Sequence, residues 1–354
     1  MLTGQNGILT NAAKAKEKTE TANKDEQRKL AQAEALMSTE DIEYNGVTIP
    51  KGFAPTKIVG EDSVDEGLVI IDGSGNEYVW VEVPKTIYKD SNYNTNGEPS
   101  SSTDYSKIEA CLKAYTSDYS DASYSDTNTE FKTLYQNMLK SVYENGGFWI
   151  GRYEAGIENG RNPRIRYVAI EESEKAVIKP NMYPYNYITR DEAQTLAKRM
   201  HYDGCTSSLI FGIQWDLALK YIETGRTKIE NLTTNSTAIG NYRNSEFTIS
   251  RGRFAQYGYF SKWYDYSSEE KNDLVSGSKK KKQDSAEKGV LLTTGATEIA
   301  NLQNIYDIAG NLYEWTLEFC EKDRPSVNRG GSYNYRGMDD TAKKRDGNRN
   351  KLCY

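Results

Sequence analysis

The fold is decided by two stretches near the C-terminus, Asn-Ile-Tyr-Asp-Ile-Ala-Gly-Asn-Leu-Tyr-Glu-Trp-Thr at residues 304–316 and Val-Asn-Arg-Gly-Gly-Ser-Tyr at residues 327–333. Gly310-Asn311 is a turn signal in front of an amphipathic strand. Trp315 is a large apolar side chain that we expect to anchor the core. Gly330-Gly331 lets the backbone turn sharply where a Cβ atom would clash. These residues predict a tightly turned, well-packed structural element.

Two charged residues in the same stretches carry further predictions. Arg329 and Glu314 are candidates for a structural ion pair. Glu314 has a functional alternative as a metal ligand, which is taken up below.

Upstream of these stretches, the sequence contains clear strand and helix signals. Residues 67–72 and 77–84 are apolar, β-branched runs around a Gly/Asn turn, which predicts a β-hairpin. Thr189 and Glu192 form a capping box at the start of an amphipathic helix. A second helix carries Trp215 on its apolar face and ends near Gly225.

The chain divides into a leading helix and one large domain. Residues 1–45 are a charged, solvated helical segment with only a thin apolar stripe. Residues 46–354 form the domain, with insertions near 90–129 and 263–288. The first insertion is rich in Ser, Thr, Tyr, Asp and Asn, and we expect it to be only partly ordered.

Composition limits the functions that fit. The 354 residues carry a net charge of −6, which gives no electrostatic support for a nucleic-acid partner. The lysine run at 279–282 lies among Ser, Glu and Asp and is interpreted as a solvated loop. The 27 tyrosines suit a recognition surface, although they equally fit the codon usage of an AT-rich genome.

The cysteines and the histidine do not form a metal site. Four Cys are present without a CxxC pair, and His201 is the sole His, so zinc is not expected. A Cys205–Cys320 disulfide and free thiols both remain open. The sequence contains no signal peptide and no apolar run of membrane-spanning length.

Together, the two C-terminal stretches are similar to the "yD-x-x-GN-v-x-EWt … RGGS" signature of the formylglycine-generating-enzyme (sulfatase-modifying factor) family. Other parts of the chain resemble that family's motifs in the same order, namely residues 78–84, 148–154, 183–193 and 211–218. The resemblance implies an α+β, C-type-lectin-like fold, preceded here by the N-terminal helix.

The resemblance does not extend to the family's catalytic residues. Oxidase members carry two copper-binding cysteines after Gly-Gly-Ser-Tyr, and Tyr335 and Asp340 stand at those positions. Cys353 is a lone thiol further along. The iron-dependent members need a His-bearing domain that His201 alone cannot build. We therefore expect no enzyme activity; a formylglycine-generating-like enzyme is the alternative.

A second branch of the fold binds ligands. The variable proteins of diversity-generating retroelements display a hypervariable surface after Gly-Gly-Ser-Tyr, and residues 334–354 here mix Tyr, Arg, Asp, Asn and Gly as antibody paratopes do. We expect an exposed patch that contacts a protein or glycan on another cell or surface. Its predicted residues are Tyr335, Arg336, Asp339, Asp340, Arg345, Asn348, Arg349 and Asn350.

Calcium is the one cofactor that the resemblance implies. Some family members bind calcium through the Gly-Asn-x-x-Glu turn, which corresponds here to Asn311 and Glu314. Hard oxygen ligands suit that ion. A calcium-dependent glycan-binding lectin is therefore a further alternative function.

The start of the chain resembles the segment that follows the membrane helix in prepilin-like proteins of Gram-positive bacteria. This implies display at the cell surface or secretion, with membrane attachment only through an N-terminal prepilin helix that these residues do not include. The alternative is a cytoplasmic or phage-encoded protein.

Overall fold

The structure is a computed structural model that describes residues 3–89, 98–120, 124–200, 202–267, 275–276, 281–282 and 289–349. These residues form a mixed α+β structure in which a long N-terminal helix precedes several small antiparallel sheets. The prediction of an α+β chain with a leading helix is confirmed at this level.

The described α-helices are α1 (Thr3–Met37), α2 (Ser102–Tyr115), α3 (Lys132–Asn145), α4 (Arg190–Arg199), α5 (Gly212–Thr224) and α6 (Ile229–Thr233). The described strands are β1 (Ile42–Tyr44), β2 (Val47–Ile49), β3 (Phe53–Pro55), β4 (Val69–Asp72), β5 (Glu77–Glu82), β6 (Gly147–Gly151), β7 (Gly156–Ile157), β8 (Ala176–Val177), β9 (Phe247–Thr248), β10 (Arg253–Gln256), β11 (Tyr264–Asp265), β12 (Val275–Ser276), β13 (Lys281–Lys282), β14 (Val290–Leu292), β15 (Asn301–Leu302), β16 (Ile305–Tyr306), β17 (Glu314–Thr316), β18 (Ser326–Arg329) and β19 (Arg345–Asn348).

The largest described sheet is antiparallel with strand order β3-β4-β5-β6. The predicted hairpin is confirmed as β4 and β5. Its turn is held by Asp72, whose Oδ1 accepts from the backbone N–H of Ser74 and of Asn76, both at 2.8 Å. A carboxylate that caps its own turn in this way fixes the register of the two strands.

The main core lies between this sheet and α5. Val79 and Val81 of β5 share a buried cluster with Trp215, Ala218 and Ile222 of α5. The strand residues alternate with a period of two and the helix residues with a period near 3.6, so each element presents one apolar face to the other. Both predicted helices are confirmed, including the capping box of Thr189 and Glu192 at the start of α4.

The first insertion is more ordered than the sequence suggested, because α2 lies within it. Ser101 and Asp104 form a capping box at the start of this helix. Ile108 and Leu112 are fully buried, in a cluster that includes Leu139 of α3. The polar composition hid this short apolar face. Residues 90–97 and most of the second insertion lie outside the described part of the chain.

The C-terminal part of the helix α1 packs on the sheet. Ala31 and Ala35 are buried against Ala54 of β3 and Ile71 of β4. Small residues allow the helix backbone to approach the strands closely. Among the described residues, no helix combines the length and the apolar character that crossing a membrane requires.

Arg28 of α1 reaches an ion cluster at the sheet. Its Nη2 lies 2.6 Å from Glu61 Oε1, and its Nε lies 3.2 Å from Glu77 Oε1. Arg152 contacts the same two carboxylates at 3.0 and 2.7 Å and is itself buried. The helix is therefore tied to the sheet by charge as well as by apolar packing.

We predict that Arg28→Ala loosens the end of α1 without unfolding the sheet, because Arg152 still neutralises Glu61 and Glu77. The expected loss is about 1 kcal/mol for this partly exposed residue. Hydrogen exchange should become faster in residues 28–37 and stay unchanged in β5. Lys16→Ala, on the exposed part of the same helix, is the control; equal exchange in both variants would contradict the prediction.

Candidate functional site

The turn at Gly310-Asn311 is the most heavily connected point of the C-terminal half. Asn311 is fully buried with a φ of 56°, and Gly310 has a φ of 78°. A Cβ atom on Gly310 would lie 2.3 Å from the carbonyl oxygen of Asn241. The backbone N–H of Asn311 donates to that same carbonyl at 2.9 Å. Glycine is thus required here for both conformation and space.

The side chain of Asn311 uses all of its hydrogen-bonding capacity inside the protein. Its Oδ1 accepts from Asn241 Nδ2 and from the N–H of Leu292, both at 3.0 Å. Its Nδ2 donates to Glu154 Oε2 at 2.6 Å and to the carbonyl of Leu292 at 3.3 Å. The turn is therefore joined to three other segments of the chain.

Three carboxyl groups lie close together beside this turn: Glu154, Asp307 and Glu314. Glu154 Oε1 accepts from the N–H of Leu312 at 3.0 Å, and Asp307 Oδ2 accepts from the N–H of Gly295 at 2.7 Å. The carboxyl group of Glu314 forms no hydrogen bond and no ion pair with any residue that the structure describes. We call these three residues the carboxyl cluster.

The carboxyl cluster holds protons that ordinary carboxyls would lose. Burial, with the charge of Asp307 second, raises the pKa of Glu314 to about 8. Burial raises the pKa of Asp307 to about 6. Burial, followed by the charges of Asp307 and Glu314, raises the pKa of Glu154 well above its ordinary value. Because the groups interact, they titrate as one set.

The calcium prediction at Asn311 and Glu314 fits this arrangement poorly. The side-chain oxygen of Asn311 already accepts two hydrogen bonds, so no lone pair is left for an ion. Among the described residues, no group of three or more His, Cys, Asp and Glu is arranged to hold a metal. We derive no function through calcium at this turn.

The predicted ion pair between Arg329 and Glu314 is wrong. The two residues are register partners on β18 and β17, but the Arg329 guanidinium contacts Asp216 at 2.7 Å and Glu318 at 3.0 Å. Arg345 contacts the same two carboxylates at 2.6 and 2.8 Å. Asp216 and Glu318 are each shared by two arginines, which forms a closed four-residue network.

The exposed patch predicted at the C-terminus is only partly present. Tyr335, Arg336 and Asp339 are exposed on a turn, and Arg349 is exposed after β19. Asn348 is half-buried within β19, and Asn350 lies outside the described residues. The length of β19, about 3.3 Å per residue, separates Arg349 from the start of that strand. The exposed members of the predicted patch therefore fall on two segments of the chain, the turn at 335–339 and residue 349.

Two members of that patch are corrected. Asp340 is 2% exposed, and its Oδ2 accepts from the N–H of Ser332 at 3.1 Å. Burial raises its pKa to about 6. Arg345 is enclosed because its guanidinium belongs to the four-residue network. Both polar side chains point inward to satisfy buried partners, which residue type alone does not reveal.

The structure places the three residues predicted to be structural as follows. Trp315 is buried, and its Nε1 donates to the carbonyl of Ile188 at 3.0 Å. Gly330 and Gly331 have φ values of 88° and 81°. A Cβ atom on Gly331 would lie 2.3 Å from the carbonyl oxygen of Asp340. Cys205 and Cys320 are free thiols, so the disulfide alternative does not hold.

A cavity of about 850 Å³ opens beside β6. Its walls are mainly apolar and come from β6, α3, α4, the segment 202–211 and the start of β17. Glu154 and Glu314 of the carboxyl cluster also line it. This volume falls within the range of small-ligand and peptide sites.

The sequence analysis did not predict the cavity, and of the carboxyl cluster it singled out Glu314 but not Glu154 or Asp307. Glu154 and Asp307 both lie inside the motifs that carried the resemblance, so a signal existed. Nothing in the local sequence indicates, however, that residues 154 and 307 lie close together in the fold.

The chain matches no known family model and no curated protein.

We predict that Arg329→Met is strongly destabilising, by about 3–5 kcal/mol, because Asp216 and Glu318 would be left buried with one cation between them. The midpoint and slope of urea unfolding measure this. Arg349→Met removes an exposed arginine close by in sequence and should change stability by less than about 0.5 kcal/mol. Similar losses in both variants would contradict a role for the network.

We predict that Glu314→Gln stabilises the protein at alkaline pH. The folded chain keeps the Glu314 proton up to a pH of about 8, whereas an ordinary carboxyl ionises near 4.5. The unfolded state therefore binds fewer protons between these values, and wild-type stability falls as pH rises through this window. The variant lacks this loss, so its melting temperature should exceed wild type at pH 8 and match it at pH 4.

Glu172→Gln is the control, since Glu172 is exposed to solvent and is not a member of the carboxyl cluster. A stability advantage of Glu314→Gln that is the same at both pH values would show that the carboxyl does not titrate as described.

Proposed function

We propose that this chain is a non-enzymatic binding protein that displays a recognition surface on a C-type-lectin-like scaffold of the formylglycine-generating-enzyme type. The α+β architecture and the packing of the Gly-Asn-x-x-Glu-Trp turn support this scaffold. Tyr335 and Asp340 support the non-enzymatic role, because neither side chain can replace a thiolate as a nucleophile or copper ligand.

One observation carries the proposal: exposed side chains stand on a turn whose backbone is held at several points. We call residues 334–340 the presenting turn. The N–H of Gly337 donates to Asn244 Oδ1 at 3.1 Å, and its carbonyl accepts from the N–H of Ser236 at 2.8 Å. The carbonyl of Tyr335 accepts from the N–H of Arg243 at 2.8 Å. A fixed backbone lowers the entropy lost when a partner binds.

The space around the turn explains why its backbone is fixed. A Cβ atom on Gly337 would lie 2.3 Å from the backbone nitrogen of Thr237, so only glycine permits this contact. Asp340 closes the turn through Ser332. The buried residues Gly337 and Asp340 thus hold the backbone of the turn. The exposed side chains of the turn remain available to a partner.

The outward side chains have the chemistry of a recognition site. Tyr335 is 48% exposed and Met338 is 57% exposed. Arg336 and Asp339 add one charge of each sign. Tyr and Arg are the residue types most often found at energetic hot spots, and opposite charges set specificity more than affinity. The partner we propose is a protein or glycan on another cell or surface.

The proposed location follows the N-terminal resemblance. The docked end of α1 and its exposed remainder suit a domain carried on a helical stalk at the cell surface, as in prepilin-like proteins. A secreted protein fits the same features, and a cytoplasmic or phage-encoded protein remains the alternative.

We predict that Tyr335→Ala weakens partner binding by about 2 kcal/mol, roughly thirtyfold, because an aromatic hot spot is lost. Partners are found with a glycan array and a display library of bacterial surface proteins, and their dissociation constants are then measured by surface plasmon resonance. Arg336→Ala should weaken the same interaction.

Tyr259→Ala is the matched control, since Tyr259 is 61% exposed and belongs to the loop between β10 and β11 and not to the presenting turn. Equal effects of Tyr259→Ala and Tyr335→Ala, or binding that depends on calcium and not on Tyr335, would contradict the presenting turn as the site.

A further inference from the structure

The strand β6 has an open edge. It pairs with β5 on one side, and no other described strand pairs with it. The N–H of Val83 donates to the carbonyl of Gly146, and the N–H of Arg152 donates to the carbonyl of Glu77. Residues 146 and 152 therefore face β5, and the alternation of an antiparallel ladder turns residues 147, 149 and 151 to the open side.

The backbone groups on this edge make no hydrogen bond outside the β5 ladder. For Gly147, Trp149 and Gly151, no described residue donates to or accepts from the outward N–H and C=O groups. Unpaired strand edges are templates for another strand, and proteins usually cover or block them. Here the edge instead opens into the cavity.

The cavity extends over both faces of the sheet at this edge. On one face it is lined by Phe148 and Ile150, which pack towards Trp215 and the main core. On the other face it is lined by Trp149, whose ring packs at a tilt of 59° against that of Trp80 at a centroid distance of 5.0 Å. An added strand projects alternate side chains to both faces, so a cavity of this form suits a strand better than a compact ligand.

The carboxyl groups in the cavity wall define the chemistry of the occupant further. Glu314 lines the cavity and has no ion pair or hydrogen bond with any described residue, and Glu154 lies beside it. A carboxyl group in an apolar, partly enclosed site ionises readily only beside a cation, so a basic side chain that approaches Glu314 would lower its pKa and form an ion pair with it. Arg or Lys on an otherwise apolar segment has the required combination of properties.

We propose that the cavity along the edge of β6 binds an extended segment of another polypeptide. This segment adds as a strand to the open edge of β6 and places one basic side chain at Glu314. The main-chain hydrogen bonds to Gly147, Trp149 and Gly151 supply affinity. The apolar walls and Glu314 supply sequence preference. This mode of recognition is β-strand addition. This cavity is distinct from the presenting turn, so a negative binding result at one site does not contradict the proposal made for the other.

The test uses synthetic peptides of alternating Val, Thr and Ile, with one Arg moved stepwise along the sequence. Binding is followed by fluorescence anisotropy of labelled peptide, and contacts are located by amide hydrogen exchange of the full chain. At least one Arg peptide should bind saturably, with a dissociation constant below about 1 mM. The amides of Gly147, Trp149 and Gly151 should then exchange more slowly, while those of Phe148 and Ile150, already paired with β5, should not change.

Matched peptides and variants separate the contributions. Replacing the Arg of the best peptide by Glu should weaken binding about tenfold or more, because the new carboxylate faces Glu314. The Glu314→Gln variant should bind the Arg and Glu peptides with similar affinity. Ala197→Phe places a ring into the cavity from α4 while β6 and Glu314 keep their own residues, and it should abolish binding of all the peptides.

Three results would overturn the proposal. The first is the absence of saturable binding by every Arg peptide to a protein that is folded by circular dichroism. The second is binding that protects amides elsewhere and leaves β6 unchanged. The third is protection of Gly147, Trp149 and Gly151 that rises with protein concentration in the absence of peptide, which would identify a second copy of the chain as the occupant.

Discussion

The side-chain amide of Asn311 is the interaction on which the C-terminal half depends. It is fully buried and contacts Asn241, Leu292 and Glu154 at 2.6 to 3.0 Å. Each partner belongs to a different segment, and each would be left unsatisfied if the amide were removed. A buried polar network of this kind is costly when incomplete, so it specifies one arrangement of these segments.

The position of this amide creates the electrostatic character of the nearby cavity. Asn311 and the N–H of Leu312 hold Glu154 in place, close to Asp307 and Glu314. Burial is the main reason why the pKa values of all three carboxyls rise, and the charge of Asp307 raises those of Glu154 and Glu314 further. Within this carboxyl cluster, Glu314 lies at the cavity wall and forms no ion pair with any described residue. The hydrogen bonds that order the turn thus also place these proton-holding carboxyl groups beside the cavity.

The second charged assembly behaves differently because its charges balance. Arg329 and Arg345 meet Asp216 and Glu318 in pairs, and the Arg329 guanidinium lies 5.5 Å from the ring of Trp215. This network joins α5 to β18 and β19 and thereby fixes both ends of the stretch that contains the presenting turn. The ion pairs of this network are buried, whereas the Tyr and Arg side chains of the presenting turn are exposed. This arrangement is consistent with a scaffold in which only the outward-facing positions tolerate substitution.

The sequence determined the features that depend on neighbours along the chain. Asp72 with its Gly/Asn turn defined the β4–β5 hairpin, and Thr189 with Glu192 defined the start of α4. The need for Gly330 and Gly331 was also visible, because a glycine pair marks backbone that other residues cannot adopt. The apolar face of α2 was missed because two buried residues were surrounded by polar ones.

Only the tertiary structure decided the partners of the charged residues and the form of the cavity. Arg329 is separated from Asp216 by 113 positions, and Asn311 is separated from Glu154 by 157. Residue type predicts that a buried arginine needs a carboxylate, but not which carboxylate the fold brings near. For the same reason Asp340 and Arg345 resembled surface residues in sequence and proved to be buried. Exposure is a property of packing among distant segments, and the local sequence does not encode it.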